Sequence, residues 1–220
     1  MNLPNGLTVA RIAATPLIAT LPFASAWGLR LAAFLLFTAA GITDYVDGHI
    51  ARSRKQETDL GRMLDPLADK LLLLGTFVPM YLLARTLPFE TPFGSVGLAW
   101  WVIAIVLGRE LFMTLFRYAA QRRGVVISAI GPAKWKTGFQ LVWQGAAYFW
   151  FFAATLAMAA GWTTSATWHA FALFNGSVAT LAMIGAVVLT VYSFLLYVRS
   201  FGSLFVGALG KAAPGRQQIP

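Results

Sequence analysis

The chain has 220 residues, 58% of them apolar and only 11% charged, with a formal charge of +9. Soluble domains carry roughly 25% charged residues, and disordered chains pair high charge with low hydrophobicity, so both classes are excluded. An integral membrane protein is left, and its basic excess reads as loop charge facing anionic lipid rather than as a nucleic-acid surface. With no cysteine, disulfides, thiol catalysis and Cys-based metal sites are excluded as well.

The first predicted helix, 7–26, covers most of an 18-residue stretch between Arg11 and Arg30 that holds no Asp, Glu, Lys or Arg. The residues before it, Met1-Asn2-Leu3-Pro4-Asn5, offer neither a basic region nor a cleavage site. A retained span is therefore expected rather than a signal peptide. The second, 30–53, has only 13 uncharged residues, Leu31–Thr43. Crossing needs roughly 20, so this helix must take Asp44 and Asp47 into its length. A basic loop leads to the third helix, 61–84. Pro88 and Pro92 then mark a turn before the fourth, 95–121. From Thr137 to Val198 there are 62 residues without Asp, Glu, Lys or Arg. That run must break once, at Gly161–Ser165, which gives a fifth helix at 132–158 and a sixth at 171–199.

These runs lack the period-2 alternation of a membrane barrel. The expected fold is all-α, with six transmembrane helices in a single domain over 1–210 and a disordered tail at 211–220. Arg52, Arg54, Lys55, Arg62, Arg122, Arg123, Lys134, Lys136, Lys211 and Arg216 fall on one set of loops, and little beyond Arg30 and Arg85 on the other. The positive-inside rule puts the first set, and with it both termini, in the cytoplasm.

The acidic residues carry the chemistry. Six of the eight fall between Asp44 and Asp69. Asp44 and Asp47 are three apart and Asp65 and Asp69 four apart, so each pair shares a helix face. The two helices run antiparallel across the basic loop, which lets four carboxylates meet just inside the cytoplasmic surface. Four such groups cannot all ionise together without a counter-charge. Hard oxygen ligands with no nearby Cys, and no His beyond His49, favour Mg²⁺ or Mn²⁺ over Zn²⁺. Helix capping, or pairing with Arg52, Arg62 and Lys70, is the competing explanation. It explains one intramembrane Asp better than four, since acids in a membrane are costly and mostly functional.

Asp44-Tyr-Val-Asp47-Gly48-His-Ile-Ala51-Arg52, eight residues, then Gly61-Arg-Met-Leu-Asp65-Pro-Leu-Ala-Asp69 resembles the full signature of the CDP-alcohol phosphotransferases. The wider resemblance covers most of the chain and is closest to the bacterial phosphatidylglycerophosphate synthase branch. It rests on Leu3–Arg11, Gln56-Glu57-Thr58, Asp65–Lys70, Arg109-Glu110 with Arg117, and Lys134-Trp135-Lys136-Thr137 with Gln140.

The resemblance implies two divalent ions held by Asp44, Asp47, Asp65 and Asp69, with Asp69 also the base for the acceptor hydroxyl. It implies a CDP-lipid site at Asp44, Asp47, Gly48, Ala51, Arg52 and Gly61. Gly48 would let the nucleotide approach the backbone closely, and Arg52 would contact the nucleotide or its phosphate. The expected reaction transfers the phosphatidyl group of CDP-diacylglycerol to sn-glycerol 3-phosphate and releases CMP. A homodimer in a bacterial inner membrane is expected, among membrane lipids, with the active site facing the cytoplasm and no nucleic acid as partner.

The acceptor is read from the remaining cations. A choline or ethanolamine acceptor would call for aromatic or acidic walls. Arg109, Arg117, Lys134 and Lys136 instead favour a phosphorylated alcohol. Arg109 and Arg117 lie about 80° apart around a helix and can share one broad face, whereas Lys134 and Lys136 diverge by about 200°. The competing explanations are loop charge for Arg117 and both lysines, and an internal ion pair with Glu110 for Arg109. Inositol phosphate, or phosphatidylglycerol giving cardiolipin, are the alternative acceptors. A cation or proton transporter built on the Asp cluster is the alternative of another class, and the near absence of polar groups in the fifth and sixth helices argues against it.

Overall fold

The structure is a computed structural model that describes the backbone of residues 3–53, 59–122 and 131–210, and the side chains at 5–44, 61, 64–122 and 135–199. Among the described residues six long helices appear: α1 (Leu3–Thr20), α2 (Trp27–Ser53), α3 (Asp59–Leu83), α4 (Trp100–Gln121), α5 (Gly131–Ala160) and α6 (Ala166–Gly210). Their order matches the sequence reading, with shifted ends. α1 stops six residues early because Pro22 closes a 3₁₀ turn at Leu21–Phe23. α6 begins at Ala166 and passes Arg199 without a break. The tail at 211–220 lies outside the described residues.

One element is unexpected. Between α3 and α4 the chain forms an antiparallel hairpin, β1 (Phe89–Thr91) and β2 (Gly94–Val96), in which Glu90 faces Ser95. Three-residue strands are too short to register as alternation, and Pro88 and Pro92 show only as a turn. The turn Gly94 has φ +111, a backbone region open to glycine and strained for other residues. At the other interruption, Gly161 (φ +71) ends α5 inside the predicted break.

Among the described residues four segments are long and apolar enough to cross a membrane: Asn5–Phe23, Leu64–Leu83, Trp135–Ala160 and Ala166–Arg199. The other two helices carry charge within their length: Arg30, Asp44 and Asp47 in α2, and Arg109, Glu110 and Arg117 in α4. Burial is inverted relative to a soluble protein. Leu35, Ile42, Leu111, Leu181 and Leu195 face outward, while Thr8, Arg11, Thr76, Arg109, Lys136, Gln140 and Gln144 are buried. Polar groups inside and leucines outside are what a hydrocarbon solvent selects.

Small residues let the helices approach closely. Ala172, Ala179, Ala182 and Ala186 of α6 are buried in one apolar core with Trp143, Ala147, Trp150 and Phe151 of α5 and Phe77 and Met80 of α3. A second core joins Ile18 of α1, Ala33, Phe37 and Ala40 of α2, and Tyr148 of α5. A Cβ on Gly75 would sit 2.8 Å from Thr15 Cγ2, so α3 lies against α1 at that glycine. The Tyr148 hydroxyl donates at 3.3 Å toward the carbonyls of Ile18 and Gly75. It is positioned where α1, α3 and α5 meet.

Candidate active site

α1 and α3 run side by side in the same direction, which places the polar N-terminal halves of both at one end of the bundle. Thr8 and Arg11 project from successive turns of α1, and Asp65 and Asp69 from successive turns of α3. The Thr8 hydroxyl donates to Asp65 Oδ1 at 2.7 Å. Arg11 Nη1 donates to Asp69 Oδ1 at 3.1 Å and forms an ion pair with Asp44 Oδ1 of α2. The Arg11 side chain is buried while the Asp44 and Asp69 carboxylates are about half exposed, at 52% and 57%. One buried guanidinium thus holds two carboxylates from two helices at an open edge.

Asp44 and Asp69 also line a cavity of about 220 Å³. Its other polar walls are Lys70, Thr76, Glu110, Lys136, Gln140 and Gln144, and Phe37, Leu72, Leu73 and Leu141 supply apolar ones. Glu110 of α4 is the hub of a cation cluster. It pairs with Lys136 of α5, with Arg109 Nη1 at 3.0 Å and with Lys70 Nζ at 3.6 Å. Three cations around one carboxylate leave this cluster positively charged, a setting that suits an anion.

Of the predicted acceptor set, Lys136 and Arg109 meet on Glu110 Oε1, and Arg109 and Arg117 meet over the Tyr197 ring. Lys136 lines the cavity. Arg109 is buried on Glu110 and donates from Nη2 to Ser193 Oγ of α6 at 3.3 Å. It lines a separate groove between α4 and α6 together with Phe112, Thr190 and Phe194. Arg117 donates to the Tyr197 hydroxyl at 3.2 Å, lies 5.8 Å from that ring's centroid, and does not line the cavity. The Lys134 side chain lies outside the described residues. So do those of Asp47, Gly48, Ala51 and Arg52, all within α2, while Gly61 is buried near the start of α3.

Sequence reasoning names Lys70 and Glu110 only as ion-pair partners, of which the Arg109–Glu110 pair is present, and assigns no role to Thr8, Arg11, Gln140 or Gln144. One signal for the last two is available: they follow Lys136 at i+4 and i+8, a polar stripe in an otherwise apolar helix. The role of Arg11 is set by packing between helices and leaves no comparable mark.

The donor chemistry can be compared with the divalent ions that the Asp motif suggests. Among the described residues no three His, Cys, Asp or Glu side chains close on one ion position, and Asp47 lies outside them. The available donors are hard carboxylate oxygens, the kind that Mg²⁺ and Mn²⁺ take. Asp44 and Asp69 converge on the Arg11 guanidinium, and the chemistry of their oxygen donors fits such ions.

Residues 1–209 match the CDP-alcohol phosphatidyltransferase family. The chain belongs to that family. It is 34% identical over 150 residues to CDP-diacylglycerol--glycerol-3-phosphate 3-phosphatidyltransferase 2 of Arabidopsis thaliana, covering 64% of this chain and 62% of that protein. With the protein of Rickettsia bellii named CDP-diacylglycerol--glycerol-3-phosphate 3-phosphatidyltransferase, identity is 39% over 140 residues, covering 64% of this chain and 71% of the relative. A cardiolipin synthase (CMP-forming) of Oryza sativa subsp. japonica is 36% identical over 150 residues, covering 64% of this chain and 44% of that protein. The matched stretch thus spans 62% of the Arabidopsis relative and 44% of the rice one.

Proposed function

We propose that this family member transfers the phosphatidyl group of CDP-diacylglycerol to sn-glycerol 3-phosphate and releases CMP. The observation that carries the reading is the cavity itself: it is lined by two aspartates of the family motif together with Lys70 and Lys136, both paired with Glu110. A CDP-lipid diphosphate belongs at the aspartate edge. The phosphate of a small acceptor belongs at the cation cluster, where charge-assisted hydrogen bonds are short and strong. Several relatives carry names that state this reaction.

Asp44, Asp47, Asp65 and Asp69 would hold two Mg²⁺ or Mn²⁺ ions. When bound, such ions neutralise the diphosphate and polarise the attacked phosphorus. The chain's own residues do the rest. Asp69 accepts the proton of the acceptor's primary hydroxyl. That oxygen forms a new bond to the lipid phosphorus as the bond from this phosphorus to CMP breaks, and CMP leaves with the electron pair. Thr8 and Arg11 fix the aspartate rotamers before substrate arrives. Lys136 orients the acceptor phosphate, with Lys70 and Arg109 held beside it on Glu110. Arg52 and Gly48 serve the nucleotide half.

All six helices cross the membrane in this reading. Both termini and the Asp edge face the cytoplasm of a bacterial inner membrane, and the protein works as a homodimer. The deciding assay is CMP release by purified protein from CDP-diacylglycerol with each acceptor in turn. Glycerol 3-phosphate is expected to be used fastest, and plain glycerol poorly because it leaves the cations unpaired. Faster use of phosphatidylglycerol or inositol phosphate would replace the named product while keeping the reaction type.

A further inference from the structure

Lys136, Gln140 and Gln144 occupy successive turns of one face of α5, and all three line the cavity. Each is at least nine-tenths buried, with exposures of 4%, 5% and 4%. Two of the three are satisfied within the protein: Lys136 on Glu110, and Gln144 through Nε2 to Thr76 Oγ1 at 2.6 Å. Gln140, between them, is different. Its Nε2 finds no hydrogen-bond partner among the described residues. A buried amide donor left unmade is costly, and native interiors seldom tolerate one without a use.

The neighbours indicate that use. One turn toward the polar end stands the cation cluster on Glu110; one turn deeper, Gln144 closes the cavity floor on Thr76. Asp69, which receives the acceptor's proton, lies on the same cavity. A three-carbon acceptor with its phosphate at Lys136 and its primary hydroxyl at Asp69 would occupy the cavity that Gln140 also lines. Its middle carbon carries a hydroxyl whose oxygen can accept one N–H.

We propose that Gln140 Nε2 donates to this secondary hydroxyl and is the residue by which the site distinguishes a glycerol phosphate from a simple hydroxyalkyl phosphate. The inference rests on the acceptor reading above and deepens it. It concerns selectivity and adds nothing to the bond-making step.

The test compares two acceptors with the full-length protein in detergent: sn-glycerol 3-phosphate and 3-hydroxypropyl phosphate, which keeps the phosphate and the primary hydroxyl but lacks the secondary one. Wild type is expected to favour glycerol 3-phosphate by roughly 3- to 12-fold in kcat/KM, the range of one net neutral hydrogen bond. Gln140→Met keeps the length and removes the donor. It should lose that factor with glycerol 3-phosphate, lose almost nothing with the analogue, and leave KM for CDP-diacylglycerol in place. Gln140→Leu provides a second donor-free variant should Met disturb folding.

Equal losses with both acceptors would make Gln140 a packing or phosphate residue and overturn the proposal, as would an unchanged preference. Inactivity of both variants with either acceptor would assign the amide to folding and reject the proposal too. If wild type uses neither acceptor, the acceptor reading itself falls, and that result is seen before any variant is made.

Discussion

Asp69 combines half exposure, contact with Arg11 and a place on the cavity wall, so its substitution is the most direct probe of the chemistry. Asp69→Asn keeps the shape and loses both the charge and the proton acceptor. CMP release should fall by at least about 10²-fold, the lower end of general-base contributions. A chelator should abolish release in the wild type, and Mg²⁺ or Mn²⁺ should restore it; metal-independent turnover would remove the ions from the reading. The acceptor cations divide by their surroundings. Lys136→Gln should lower kcat/KM for glycerol 3-phosphate roughly 10- to 150-fold, as expected for a charge-assisted contact, with KM for CDP-diacylglycerol little changed. Arg117→Gln should cost far less, since Arg117 serves Tyr197 of α6. Steady-state assays varying each substrate separate the two cases. These residues also mark the limit of reading from sequence. The aspartates are legible because charge in an apolar helix is conspicuous and its spacing fixes a face. The division between Lys136 and Arg117 is not, because it depends on which neighbouring helix each side chain meets.

The packing of the bundle depends on glycines whose role is invisible without the neighbour. Gly176 in α6 stands against the hairpin: a Cβ there would lie 2.7 Å from the Glu90 carbonyl carbon and 2.9 Å from its nitrogen. Backbone cannot yield as a flexible side-chain tip can. Gly176→Ala should therefore destabilise the protein by about 1–3 kcal/mol, the usual cost of overpacking. Gly138 of α5, where an added Cβ would meet nothing within 4 Å, is the matched control. Gly138→Ala should be neutral or stabilising, because alanine is favoured over glycine in a helix. Thermal or denaturant unfolding in detergent would rank the pair, and equal effects would remove the hairpin from the account of α6. The helices themselves are legible in the sequence, since uncharged runs of such length permit little else. The hairpin is not, being too short for any periodicity to show.

The whole bundle has two chemically distinct ends. The aspartates, Arg11, Lys70 and Lys136 gather at one. At the other, Arg30 donates from Nε to the carbonyls of Pro22 and Ala24, each at 2.9 Å, and its guanidinium reaches Thr155 near the end of α5. Lys and Arg counts assign these ends to opposite sides of a membrane without reference to packing. Side-chain contacts give an independent check on the direction of the helices. Trp27 meets Phe152 with ring centroids 6.3 Å apart, and further along α2 Phe37 stacks on Tyr148 at 5.4 Å. As α2 advances its partners on α5 recede, so the two helices are antiparallel. The end of α2 at Ser53 therefore lies near the start of α5, and the α5–α6 turn at Thr164 lies near the start of α2. If the six helices cross the membrane as proposed, these two points face opposite compartments. The chain lacks cysteine, so Ser53→Cys and Thr164→Cys each introduce a single thiol. In sealed inverted vesicles an impermeant maleimide should label Ser53→Cys from outside and reach Thr164→Cys only after permeabilisation; intact spheroplasts should reverse the pattern. Labelling of both from one side would break the six-span topology. It would also separate the Asp edge from the compartment where a water-soluble phosphorylated acceptor is supplied.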